Sequence, residues 1–239
     1  MTTDTADDIR TYLAMLEELH PGNSRSYFDG LRNERPGAMD ATVRNIEYGL
    51  SQFPPGPVVD LGCGHGLQAY CFARKGRDVL GIDLNEYRMA WANEAFAALD
   101  TPGSFEVGDA STAMDGRRAG VVWMHRSINH LTDLPAFFRS AHGALAPGGG
   151  LVFVTSNETS RHLLRFLPFV RPGRHNTKTL KAQLVEAGFE VAAIRYHGYL
   201  VALPLKYRPP FTAAVDRFLA RIPGVRALAG SFTLTAIAR

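Results

Sequence analysis

VVDLGCGHG, residues 58–66, is the stretch on which the reading of the whole chain turns. Val58 and Val59 read as the end of a buried strand. Gly62, Gly64 and Gly66 then alternate with Cys63 and His65, a spacing that suits a tight turn where backbone must come close to a ligand. Leu67 to Lys75 carries a helical pattern, so the turn opens into a helix N-terminus. Such an end presents unpaired N–H groups and a positive dipole, which favour an electron-rich ligand. The spacing is Gly-x-Gly-x-Gly, distinct from the Gly-x-Gly-x-x-Gly of nicotinamide-binding turns.

Working outward, Asp78 to Asp83 (DVLGID) reads as the next strand, and Asp83 ends it about 20 residues after the glycines, where a carboxylate reaches the two hydroxyls of a ribose in a doubly wound sheet. FEVGDA follows at 105–110 and LAPGGGLVFV at 145–154. In this order the four stretches resemble the motifs of class I S-adenosylmethionine-dependent methyltransferases, and the resemblance covers roughly residues 45 to 200. It implies an α/β fold: a doubly wound, seven-stranded, mostly parallel Rossmann-like sheet with an antiparallel last strand and helical cap segments. It also implies S-adenosyl-L-methionine as cofactor. Asp60, Gly62, Cys63, Gly64 and Gly66 would hold its methionine and ribose part, Asp83 and Leu84 the ribose and adenine edge, and Asp109 and Ala110 the adenine. His125, ending the fourth strand, would lie beside the methionine moiety through its backbone. Helix N-cap for Asp83 and plain turn residue for Asp109 remain the alternatives.

The rest of the chain fits one domain over 1–239: an N-terminal helical cap (1–53), a cofactor-binding core (54–156), and lid insertions with the last two strands (157–239). Strands are expected at 57–61, 78–83, 104–108, 120–125, 150–155, 189–197 and 231–238. Helices are expected at 5–19, 39–53, 66–75, 86–99, 134–145, 178–187 and 212–222. Tyr27 and Phe28 are candidate substrate-pocket residues, with simple aromatic packing as the alternative.

Composition narrows the class. Cys63 and Cys71 make neither a metal framework nor a disulfide scaffold. No apolar run reaches about 18 residues and no signal-like segment opens the chain, so the expectation is a soluble cytoplasmic protein. The net charge of +3 is unevenly spread: from Asn157 onward there are 13 basic and 4 acidic residues, against 13 and 19 before it. That basic third is compatible with an anionic substrate, a membrane surface, nucleic acid or a solvated face.

The fourth strand separates these. VVWMHRSINHL, residues 121–131, lacks the Asn/Asp-Pro-Pro-aromatic signature of enzymes that methylate exocyclic base amines, and no cysteine stands where cytosine C5 enzymes carry their nucleophile. Nucleic acid therefore drops out, and a small-molecule acceptor in biosynthetic or secondary metabolism is expected, methylated at oxygen or else at nitrogen. Residues 121–200 resemble the ubiquinone-biosynthesis O-methyltransferases, whose Glu-x-x-Glu-His pattern falls here on Arg126, Asn129 and His130. Only the histidine matches, so no metal is expected. His130 is the candidate general base, because an imidazole titrates near neutrality and can accept a hydroxyl proton; a structural histidine capping the helix after Asp133 is the alternative. His175, in PGRH at 172–175, is a candidate substrate-lid residue. A lid over 159–174 is expected ahead of peripheral membrane contact with a lipid-like phenol, and a non-catalytic cofactor-binding partner is the alternative of a different class.

Overall fold

The computed structural model describes residues 4–22, 31, 38–157, 175–199, 212–222 and 224–239. Its strands are β1 (Val58–Leu61), β2 (Val79–Asp83), β3 (Ser104–Val107), β4 (Ala119–His125), β5 (Leu145–Ser156), β6 (Phe189–His197) and β7 (Ser231–Ala238). Its helices are α1 (Thr5–Leu19), α2 (Ala38–Ser51), α3 (Leu67–Arg74), α4 (Glu86–Ala98), α5 (Leu134–Ala144), α6 (Thr177–Glu186) and α7 (Thr212–Leu219). The strands form one sheet in the order β3-β2-β1-β4-β5-β7-β6. β1 to β5 pair in parallel, while β7 runs antiparallel to both β5 and β6. The expected seven-stranded α/β sheet is therefore present.

All four residues of β1 are buried, which is why that strand reads as a continuous run rather than an alternation. Side chains from α1, α3 and α4, among them Tyr12, Leu67 and Met89, pack on one face with Trp123 and Val154. Phe137, Phe138, Leu180 and Leu184 from α5 and α6 pack on the other with Leu61 and Val122. Gly49 lets α2 press directly on Trp123: a Cβ there would lie 2.2 Å from the indole.

Between β1 and β4 the order of strands reverses direction across the sheet. At such a switch point the loops leave on opposite sides and open a crevice at the carboxyl ends.

Three boundaries differ from the sequence expectation by two residues or more, one of them the end of α7 at Leu219 rather than 222. β5 starts at Leu145 rather than near 150, because the Ala146–Gly150 stretch pairs along β4 through a register shift between Ala119 and Val121. Glycine permits this approach: a Cβ on Gly149 would fall 2.5 Å from the Gly120 carbonyl of β4. α2 ends at Ser51, two residues early. Tyr27 and Phe28, and the 159–174 lid segment, lie outside the described residues.

Candidate functional site

A cleft of about 530 Å³ occupies the switch point. Gly62, Asp83, Leu84, Asp109, Ala110, His125 and His130 all line it, so the sequence-predicted residues of four separate stretches converge there.

The glycine turn is built by positive backbone angles. Gly62, Gly64 and Gly66 have φ of 68°, 61° and 80°, a region that side-chain-bearing residues seldom enter. At Gly62 space is also short, since a Cβ would lie 2.2 Å from Cβ of Ser127. The amides of Gly62 and Cys63 both donate to the Ile82 carbonyl, at 2.7 and 3.2 Å, which pins the turn to β2. Gly66 is the N-cap of α3. Cys63 contributes backbone only: its sulfur points into the core, 3.9 Å from Sδ of Met89, and burial pushes its thiol up.

Asp83 is not the helix N-cap. Asn85 takes that place, its side chain accepting from the Arg88 amide. Asp83 instead ties the two loops together: one oxygen accepts from the Gly64 amide and the other from the Asn85 amide, both at 3.0 Å. Arg88 Nη1 stands 3.6 Å from the same carboxylate. Lone pairs remain on both oxygens for ribose hydroxyls.

Asp60 lies beneath the turn and is 1% exposed. Among the described residues neither of its oxygens has a donor in full hydrogen-bonding geometry, the Ala69 amide being the one that comes near. Burial first, and the nearby Asp83 carboxylate second, hold its carboxyl up at about 8, against a weaker downward pull from the Ala69 amide. A buried acid left without a donor is costly unless something cationic completes it.

At the far wall, Asp109 accepts from the Ser111 amide at 2.8 Å, and hydrogen bonds from Ser111 hold its carboxyl below the usual range. It is thus both a turn residue and a cleft residue. Leu84 is 69% exposed at the mouth, an apolar plate for a flat ring.

His125 ends β4 with Nδ1 3.5 Å from Nε2 of Gln68. Burial, then Arg126 and His197, push its imidazole down to about 3, so it is neutral at working pH. Arg126 follows with φ of 64°, a strained angle for a residue with a Cβ, and such strain gathers at functional sites. Ser127 Oγ donates to the Leu61 carbonyl at 2.6 Å, bracing the two loops.

His130 closes a 3₁₀ turn, Ile128–His130, and is exposed on the cleft wall. Capping of α5 is done by Asp133, which accepts from the Ala136 amide at 2.9 Å, so the structural alternative for His130 lacks that role. Asn129 accepts from Thr155 Oγ1 at 2.9 Å. Among the described residues no three His, Cys, Asp or Glu side chains gather as a metal site.

The structure does not bring His175 to the cleft. It immediately precedes Asn176, the N-cap of α6, and α6 packs on α5 and β6. Gln68, Arg88, Arg126 and Ser127 are site residues that the sequence reading missed. Arg88 carried one usable signal, its place on the first turn of the helix after Asp83; the others depend on pairing between distant strands.

A family model described as "Methyltransferase domain" matches residues 31–194, well over half of the chain. The chain belongs to the methyltransferase domain family. Among curated proteins the chain is similar to a ubiquinone biosynthesis O-methyltransferase of Methylobacterium nodulans, 34% identical over 106 residues, 44% of this chain and 42% of that one. It is also similar to phosphoethanolamine N-methyltransferase 1 of Arabidopsis thaliana, 32% identical over 115 residues, 47% of this chain and 23% of that one. The matches thus span less than half the length of these relatives. Among solved structures, magnesium protoporphyrin IX methyltransferase from Synechocystis PCC 6803, with bound SAH, superposes with a TM-score of 0.62 at 16% identity, covering 95% of this chain and 93% of that one. That likeness establishes the fold.

Proposed function

We propose that the chain transfers a methyl group from S-adenosylmethionine to an oxygen of a small-molecule acceptor. The observation that carries the reading is Asp60, a buried carboxyl with no donor in full hydrogen-bonding geometry, beneath a left-handed glycine turn that Asp83 stitches to the next strand. When bound, S-adenosylmethionine supplies an electrophilic methyl on a positively charged sulfur. Asp60 offers a counter-charge to that cationic end or its ammonium, Asp83 accepts from the ribose, and Leu84, Asp109 and Ala110 frame the adenine. Methyl transfer needs no covalent nucleophile, because holding the reactants in line supplies on the order of 7–11 kcal/mol in favourable cases. His130, exposed on the cleft wall, takes the acceptor's hydroxyl proton on an imidazole nitrogen. Arg126 and Asn129 stand where the resembled enzymes carry acids, so the reaction is proposed to run without a metal, in the cytoplasm and in biosynthetic or secondary metabolism. Among the described residues no helix is long and apolar enough to cross a membrane.

Calorimetry with S-adenosylmethionine, S-adenosylhomocysteine and NAD tests the cofactor. The first two should bind and NAD should not; NAD binding without an S-adenosylhomocysteine signal would overturn the reading.

A further inference from the structure

A second cavity, of about 420 Å³, lies farther along the sheet's carboxyl edge, walled by α2, β6 and residues 217–221. Arg44, Arg195, Arg217 and Arg221 line it, and among the described residues no acidic side chain does. The nearest carboxylate, Asp40, pairs with Arg44 and stands 3.9 Å from Arg217. Arg195 lies over the ring of Tyr48, 4.0 Å from its centroid, which holds the planar guanidinium in place without neutralising it. Among the described residues neither Arg195 nor Arg221 pairs with a carboxylate.

The register fixes where this cavity sits relative to the cleft. His125, Val154, Thr233 and Arg195 are successive partners across β4, β5, β7 and β6. Three strand spacings of about 4.8 Å put Arg195 roughly 14 Å from His125 along one row. A single elongated acceptor spans that distance. The wall is also preorganised: Thr233 Oγ1 donates to Asn45 Oδ1 at 2.9 Å and meets His197 Nε2 at 3.1 Å, joining β7, α2 and β6. The positive field is felt by His197, pushed down to about 4 by burial and then by Arg126, Arg44 and Arg195.

We propose that this arginine cavity is the subsite for a phosphate group carried by the methyl acceptor. The proposal rests on the methyl-transfer reading above. Four guanidinium groups against one carboxylate leave a surplus of three positive charges, of which a substrate carboxylate would neutralise one and a phosphate dianion two, and guanidinium forks bind phosphate oxygens in pairs. A merely solvated basic face would spread its arginines over convex surface; here they converge on a concave wall, two of them on packed elements.

The test is calorimetry of inorganic phosphate and pyrophosphate with the full chain, with S-adenosylhomocysteine titrated into the same samples. Both anions should bind the wild type, and added salt should weaken them. Arg217→Gln with Arg221→Gln removes two exposed cations and should weaken both anions about ten-fold or more. S-adenosylhomocysteine affinity should stay within twofold, which also reports that the variant is folded. Arg195→Lys keeps the charge but loses the stacked fork, and should lose part of the affinity. If S-adenosylhomocysteine binds and phosphate does not, or the double variant binds phosphate like the wild type, the subsite is refuted and the methyl-transfer reading survives. If S-adenosylhomocysteine itself fails to bind, both fall together. Retention on phosphatidylcholine vesicles only when they contain phosphatidic acid, lost in the double variant, assigns the phosphate to a lipid headgroup; soluble phosphate binding without vesicle retention assigns it to a soluble acceptor.

Discussion

On the proposed reading, Asp60 couples ligand binding to a proton. Its carboxyl, held near 8 by burial and by Asp83, is mostly protonated at pH 7 when nothing cationic lies beside it. A sulfonium or ammonium seated there favours the carboxylate, so binding must release a proton. Calorimetry at pH 7 in two buffers of different ionisation enthalpy should show close to one proton released by the wild type and none by Asp60→Asn; buffer-independent heats in the wild type would remove Asp60 from the site. Asp83 works differently, since its oxygens already accept two amide hydrogens and keep lone pairs for the ribose. Asp83→Ala should cost about 2–3 kcal/mol of S-adenosylhomocysteine affinity while the helix after it stays capped by Asn85. Affinity within twofold would reduce Asp83 to a bridge between loops. For His130 the expectation depends on the acceptor: with a hydroxyl, His130→Ala should lower turnover by about 10²–10⁴-fold with cofactor affinity unchanged. Full turnover in that variant, on a proven hydroxyl acceptor, would leave orientation as the source of rate.

α1 shows how a helix outside the sheet holds the site together. Ile9, Tyr12, Leu13 and Leu16 are all buried, and Tyr12 stacks on Tyr70 of α3 with centroids 4.8 Å apart. The Tyr12 hydroxyl donates to the His65 carbonyl at 2.6 Å, so α1 clamps the glycine turn directly. Tyr12→Phe leaves that buried carbonyl without its donor, at about 1–3 kcal/mol. The variant should melt earlier and also bind S-adenosylhomocysteine more weakly; a lower melting temperature with unchanged affinity would make α1 a packing element alone. The helix itself was legible, its apolar spacing matching Thr5–Leu19 residue for residue, as β6 and β7 matched 189–197 and 231–238. Patterning sufficed there because burial on one face dictates it. The clamp was not legible, nor was the left-handed Arg126, nor the row from His125 to Arg195. Each arises from contacts between residues tens of positions apart, and no local period encodes them. Asp60, Asp83 and the glycines could be proposed from sequence because the resembled motifs tie them to fixed places on β1 and β2 and the turn between β1 and the helix after it.

At the scale of the whole molecule, three buried groups among the described residues tilt stability with pH. Asp60 moves from 3.8 to about 8 on folding, so the folded chain keeps a proton that the unfolded chain has released. Its contribution is complete below 3.8 and lost as pH rises through 8. His125 and His197 move the other way, from 6.5 to about 3 and about 4, so below 6.5 the unfolded chain binds protons that the folded one refuses. Stability from them grows as pH rises and is complete above 6.5. Between 4 and 6.5 two imidazoles oppose one carboxyl, and the net difference of one proton gives a rising limb of at most about 1.4 kcal/mol per pH unit. Above 6.5 only Asp60 is left, and the limb falls with the same ceiling until pH 8. The ligand-free protein should therefore be most stable near pH 6.5. A ligand whose cation pairs with Asp60 lowers that carboxyl's pKa and removes the falling limb, so S-adenosylmethionine should turn the peak into a plateau extending past pH 8. Asp60→Asn should do the same without ligand, because no proton is left to lose, while the rising limb below pH 6.5 keeps its place and steepens to at most about 2.7 kcal/mol per pH unit, since nothing then opposes the two histidines. Melting temperatures from pH 4.5 to 8.5 distinguish these outcomes, and a free protein whose stability climbs steadily through pH 6.5 would show that Asp60 is already paired, which would take away the main observation on which the cofactor site is built.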